Sequence, residues 1–219
     1  MASEDSYYKM NALNVESGYE SNTHFITMNS DFATASIKGD FDYSTLLQSI
    51  TNFVVTKLPT LPGLPQLNRN TNNNFAIDVT IHKSDWLQHL LQVPVRLTSP
   101  LTLRGTVNDK MQQIVLACHT PQLFYKDSQY DDCNLSIVSP MNTLLCDLSA
   151  TKLMGNGEKW DLQVTSSAYN NQLTASLLWD NHASKHMSGM ITAMAEFNTT
   201  LEGKAITNVD IASSKIKVD

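Results

Sequence analysis

From Val95 to the end the chain alternates apolar and polar side chains with a period of two, broken only by short polar stretches. Trp160, Leu162 and Val164 stand against Asp161, Gln163 and Thr165, and Leu173, Ala175, Leu177 and Trp179 against Thr174 and Ser176. Successive side chains of a strand point to opposite faces, so these runs predict strands with one apolar and one neutral polar face. The predicted strands are Leu101 to Val107, Gln112 to His119, Gln122 to Lys126, Asn134 to Val138, Asn142 to Leu153, Lys159 to Tyr169, Gln172 to Asp180, Met187 to Asn198, Lys204 to Ile211 and Ser214 to Val218. Asn108-Asp109, Asn156-Gly157 and Asn170-Asn171 are turn dipeptides that tolerate positive φ. Short strands at this spacing predict an antiparallel meander.

The first part of the chain reads differently. Strands are expected at Lys9 to Val15, Asn22 to Asn29 and Phe32 to Ile37. The period then changes: Tyr43, Leu46, Leu47, Ile50, Phe53 and Val54 share one face of a helix running from Tyr43 to Lys57, with Asp42 or Ser44 as its N-cap. Proline at positions 59, 62 and 65 predicts an extended, stiff connector, followed by an Asn-rich loop. Phe75, Ile77, Val79 and Ile81 then alternate with polar neighbours as a half-buried strand, and Ser84 offers the cap of a short helix from Asp85 to Gln92. The organisation expected is residues 1–58 as N-terminal strands plus an amphipathic helix, 59–73 as connector and 74–219 as an extended antiparallel sheet, all within one continuous domain. So many strands with only two helices exclude an α/β core, which needs helical crossovers. The apolar face must be hidden by a second sheet, by closure, or by a ligand.

Composition narrows the function classes. Charged residues make up 16% of the chain, below the usual fraction of about 25%. Asn, Ser and Thr supply 61 of the 219 residues instead, which suits a β-rich, exported protein. Fifteen scattered Lys and Arg and a net charge of -6 argue against nucleic acid as a partner. No apolar run is long enough for a membrane helix, and the acidic start lacks the pattern of a signal peptide. The strand-like pattern reaching Asp219 reads as part of a longer protein, whose anchor or targeting signal then lies outside the given residues.

Candidate chemistry is sparse. Cys118, Cys133 and Cys146 cannot all pair with one another, match no zinc or redox spacing, and read as inert, buried thiols. There is no GxSxG elbow and no glycine-rich phosphate loop, so no catalytic residue, cofactor or enzymatic activity is expected. His182 and His186 fall in a polar hairpin connection, where a spacing of four has no metal-binding geometry, and no metal site is expected. Asp131-Asp132 reads as a solvated turn, and His89 as the rim of the short helix.

The segment order carries a family resemblance. A strand hairpin leads through Gly39-Asp40-Phe41-Asp42-Tyr43 into an amphipathic helix ending at Leu58-Pro59. An Asn-rich loop, Asn74-Phe75-Ala76-Ile77-Asp78-Val79, Leu87-Gln88-His89-Leu90-Leu91, Val93-Pro94-Val95-Arg96-Leu97 and Leu103-Arg104-Gly105-Thr106-Val107-Asn108 follow. Together these resemble the Bacteroidetes branch of the TamB translocation and assembly module family, within the AsmA-like superfamily. The resemblance implies a mid-region fragment of a periplasm-spanning protein held at the inner membrane by a segment elsewhere. It implies a sheet curled into an open, apolar-lined trough (a β-taco), a role in outer-membrane biogenesis, and phospholipid or other apolar cargo. An outer-membrane assembly protein would be a partner through other parts of the chain. No catalytic residues carry over.

The expected fold is therefore mainly β: a long antiparallel meander curled into an open trough, with one amphipathic and one short helix. The candidate lining residues are Leu101, Leu103, Leu116, Leu144, Leu148, Trp160, Leu162, Val164, Leu173, Leu177, Trp179 and Ile191. A structural or adhesive β-sandwich that binds a protein partner shows the same alternation. The helix leaves open whether the trough is continuous or plugged.

Overall fold

The computed structural model describes residues 11–21, 23–67, 70–84 and 92–219. The predicted short helix, with His89, lies outside the described residues. Thirteen strands form one antiparallel sheet: β1 (Leu13–Glu20), β2 (Thr23–Ser30), β3 (Ala33–Asp40), β4 (Asn74–Ile81), β5 (Val95–Leu97), β6 (Leu101–Asn108), β7 (Gln113–Tyr125), β8 (Ser128–Val138), β9 (Leu144–Leu153), β10 (Lys159–Tyr169), β11 (Gln172–Asp180), β12 (Met187–Thr199) and β13 (Ala205–Val218). Twelve of them follow one another as a meander from β1 to β13, while β5 pairs only with the far half of β7. The sheet does not close into a barrel, and among the described residues it is the only sheet.

Two pairs of predicted strands are each one strand. Pro121 sits inside β7 where its partner changes from β6, paired up to His119, to β5, paired from Leu123. A residue without an N–H is tolerated there because no ladder bond is lost. Opposite it, Asp132 in β8 adopts φ 50° at an irregularity in the ladder, so Asp131-Asp132 lies on a bulged strand and not in a turn. β13 likewise runs unbroken through the expected break, with one register shift opposite Thr192 and Ala193. Of the first predicted strand, Lys9 to Val15, residues 9 and 10 lie outside the described residues, and β1 runs from Leu13 to Glu20.

The single described helix, α1 (Leu46–Lys57), starts three residues later than its apolar pattern. Asp42 does not cap it. Its carboxylate accepts the Ser44 N–H (2.8 Å) and hydroxyl (2.7 Å), capping the preceding turn, and Thr45 at the N-cap makes no side-chain cap bond. Leu46, Ile50, Phe53 and Val54 face the sheet as the spacing predicts, but Leu47 is 79% exposed. Phe53 joins Phe41, Phe75, Val107 and Ile114 in one buried cluster; Leu58, Ala168 and Phe197 form a second, and Leu144 packs against both.

Polar groups fix the direction of α1. Ser49, fully buried, donates to the Asp109 carboxylate (2.7 Å) in the β6–β7 turn, and the same carboxylate accepts the Asn73 N–H (2.8 Å). Asn73 in turn donates to Ser49 Oγ (2.6 Å) and Thr45 Oγ1 (3.0 Å) and accepts the Asp42 N–H (2.7 Å). Eight residues further on, the buried Lys57 ammonium donates to Asn142 (2.6 Å) in the β8–β9 turn, and burial lowers its pKa. The Lys57 carbonyl accepts the Asn171 N–H (2.8 Å) from the β10–β11 turn, and Thr60 donates to the Phe197 carbonyl (2.9 Å) at the end of β12. Helix rise carries Ser49 to Lys57 over about 12 Å, and two strand spacings separate those turns by roughly 10 Å. The axis of α1 therefore runs across the strands, along one rim of the sheet.

The connector is not an extended strut. Leu61 donates to the Leu58 carbonyl (3.1 Å) and Leu64 to that of Leu61 (3.5 Å), so the prolines sit in successive turns that press Leu58 and Leu61 into the second cluster. Strands from β2 to β12 contribute to the two clusters, and laid flat they would span roughly 43 Å against about 18 Å for the helix. Contact along this whole width requires the sheet to curl.

Asp109→Ala is expected to leave the Asn73 N–H buried without an acceptor and Ser49 with only its long contact to the Thr45 carbonyl (3.4 Å), and to cost about 1–3 kcal/mol. Urea denaturation measures this; a loss below about 0.5 kcal/mol would contradict the anchoring role.

Candidate functional site: an uncovered apolar face

Antiparallel pairing places directly opposed residues on the same face, so the registers reveal which side chains form continuous rows. One row crosses the sheet through Val15, Met28, Ala35, Val79, Leu103, Cys118, Leu135, Leu148, Val164, Leu177 and Ile191, each paired with the next. Eleven apolar or thiol side chains in succession extend over roughly 48 Å of sheet. The opposite face is the reverse: Glu16, Thr27, Ser36, Asp78, Arg104, Ala117, Ser136, Asp147, Thr165, Ser176 and Thr192 form an almost wholly polar row.

All twelve candidate lining residues fall on the apolar face. Leu103, Leu148, Val164, Leu177 and Ile191 lie in the row just described. Leu101, Leu162 and Trp179 lie two residues along their strands toward the rim away from α1, and Trp160 two beyond Leu162. Leu116, Leu144 and Leu173 lie on the helix side and pack against the buried clusters beneath α1, so they are core. The remaining nine have no layer over them among the described residues: Leu148 is 42% exposed, Leu177 40% and Val164 36%. The helix thus lines one side of the trough lengthwise and does not plug it.

Trp179 shows how the wall is kept smooth. It pairs with Gly189, and a Cβ on that glycine would clash with the indole ring, so the ring packs against the bare glycine backbone. Trp160 pairs with Lys152 two residues further out, and its buried indole N–H has no hydrogen-bond partner among the described residues. Arg96 stacks its guanidinium 4.0 Å from the Phe124 ring at the β5–β7 pairing, a contact that sequence spacing did not reveal.

The rim away from α1 carries the charge. Asp161 meets His182 (2.9 Å), Asp180 accepts the His182 backbone N–H (2.7 Å) and meets His186 Nε2 (3.0 Å), and Lys217 pairs with Asp219 (2.7 Å). The His182 N–H and then His186 hold the Asp180 carboxyl below its ordinary pKa, and Lys217 does the same to Asp219. These contacts tie the Asp180–His186 connection to β10 and to the end of β13. Among the described residues no group of three or more His, Cys, Asp or Glu is arranged to hold a metal ion. A depression of about 700 Å³ near this rim lies toward the opposite face, and its lining mixes polar groups (Asn134, Gln163, Asp180, Lys215) with apolar ones (Leu178, Met190).

All three cysteines are free and half-buried. Burial first, then the Asp131 and Asp132 carboxylates, push the Cys133 thiol up to about 11, and burial raises Cys118. Asp131 itself is held low by the Gln122 and Gln129 amides, each at 2.9 Å. At pH 8 only about a thousandth of Cys133 is then thiolate, against roughly a quarter of an unperturbed cysteine. Iodoacetamide followed by peptide mapping is expected to show Cys133 alkylated at least 100-fold more slowly than a free thiol. Alkylation at the free-thiol rate would contradict this environment.

Among the described residues no helix is long and apolar enough to cross a membrane. No protein-family model, curated protein or solved structure matches the chain.

Proposed function

We propose that the chain binds long apolar cargo, acyl chains of phospholipid above all, lengthwise in the trough between α1 and the rim away from it. The observation that carries this reading is the unbroken apolar row from Val15 to Ile191 on a face with no second layer among the described residues. Each methylene moved from water onto such a wall gains roughly 0.8 kcal/mol, so a chain lying along several strands is held without any moving part. A polar and partly charged outer face keeps the wall in solution while its inner face stays greasy. The reading is one of binding and conduction.

This role fits the TamB-like resemblance of the segments at residues 39–108. On that reading the chain is a fragment of a periplasmic protein of outer-membrane biogenesis, anchored at the inner membrane and meeting its assembly partner through residues not given.

Paired substitutions separate an open trough from a closed core. Leu177→Asp, placed in a 40% exposed position, is expected to cost less than about 1.5 kcal/mol and to abolish binding of a fluorescent fatty-acid probe. Ile114→Asp, in the cluster beneath α1 at 3% exposure, is expected to cost more than about 4 kcal/mol or prevent folding. Denaturant melts and probe titration test both; equal destabilisation by the two, or unchanged binding by Leu177→Asp, would overturn the proposal.

A further inference from the structure

Sorting the paired residues by face leaves one anomaly. Among the residues paired across the described strands, the face of the trough holds a single Lys, Arg, Asp or Glu, and that residue is Lys152. The other charged residues of these pairs, Lys38, Asp78, Arg104 and Asp147 among them, lie on the opposite face. Lys152 belongs to a second row, Leu97, Leu123, Tyr130, Lys152 and Trp160, each paired with the next across β5, β7, β8, β9 and β10. This row runs beside the central one, nearer the rim away from α1. Lys152 stands four residues beyond Leu148 along β9, about 13 Å.

A lysine stem can lie along apolar neighbours, but its ammonium is a charge that an apolar wall cannot satisfy. Lys152 is half-buried and makes neither an ion pair nor a hydrogen bond among the described residues. Its ammonium lies 6.0 Å from the Tyr130 ring centroid, the outer limit of a cation–π attraction. On its other side stands Trp160, whose buried indole N–H also lacks an acceptor among the described residues. Directly paired residues hold their Cβ atoms about 5 Å apart, so two donor-only side chains, neither with an acceptor, stand side by side. A ligand that completes this place must bring acceptors, and beside an ammonium an anionic oxygen makes the strongest bond.

We infer that Lys152, with the Trp160 indole N–H beside it, binds the anionic oxygen group at the head of an acyl amphiphile, a phosphate or a carboxylate, while the tail lies on the apolar row. This rests on the reading of the trough as an acyl-chain site and adds the class of head group it selects. Tyr130 and Trp160 flank the junction of head and tail, where rings with an apolar body and a polar tip are suited to both.

Calorimetric titration of the purified chain with dodecyl phosphate and with dodecyl maltoside, each below its micelle concentration, and with inorganic phosphate tests it. Dodecyl phosphate is expected to bind at least about 10-fold more tightly than the maltoside. Lys152→Met, which keeps an apolar stem and is checked for fold by circular dichroism, should remove that preference and leave the maltoside affinity unchanged. Lys152→Arg should retain the preference. Inorganic phosphate at millimolar concentration should neither bind nor displace dodecyl phosphate. Failure of both detergents to bind would overturn the trough reading and this inference with it. Equal affinities for the two, a preference that survives Lys152→Met, a loss of both ligands in that variant, or displacement by inorganic phosphate would overturn the head-group inference alone.

Discussion

A twelve-residue helix covers about one row of a sheet, and this sheet is twelve strands wide. That mismatch governs the molecule. α1 hides the row nearest its own rim, where Phe75, Val107, Ile114 and Ala168 are almost fully buried, and reaches no further. The next rows keep the same apolar character without a cover, so Leu148, Val164 and Leu177 stay about 40% exposed while Val107, on the same face, is at 0%. The protein is thus a core along one rim and a surface along the other, made from one face of one sheet.

What holds the helix at its rim is polar. The Ser49, Asn73 and Asp109 knot, the buried Lys57 against Asn142, and the Asn171 and Thr60 bonds meet alternate turns at equal intervals. Apolar burial alone would let α1 slide along the sheet or roll into the trough, since the rows are nearly alike. Directional bonds to three successive turns remove that freedom and leave the trough clear. The same bonds couple the curl of the sheet to the helix, because each turn must reach the helix axis.

The alternation in the chain carries the fold almost unaided where strands pair locally. β10 and β11 have the boundaries their pattern implies, and all twelve candidate residues share one face, because parity along a strand is a local property. What the pattern could not carry is set by partners distant in sequence. Pro121 looks like a break until β5 supplies the second half of β7's pairing. Leu47 belongs to the apolar face by spacing, yet it turns to solvent, while Ser49 takes the buried place because Asp109, sixty residues on, needs a donor. Leu116, Leu144 and Leu173 are indistinguishable by pattern from the uncovered nine; only the path of α1 separates core from wall. The prolines at 59, 62 and 65 read as a strut, but Leu58 and Leu61 draw the connector into turns.

The account turns on whether the uncovered face meets acyl chains. Extraction of the purified, folded protein with organic solvent, followed by mass spectrometry, measures that directly. The account predicts co-purified acyl lipid in amounts comparable with the protein, and an extract free of acyl lipid would contradict it.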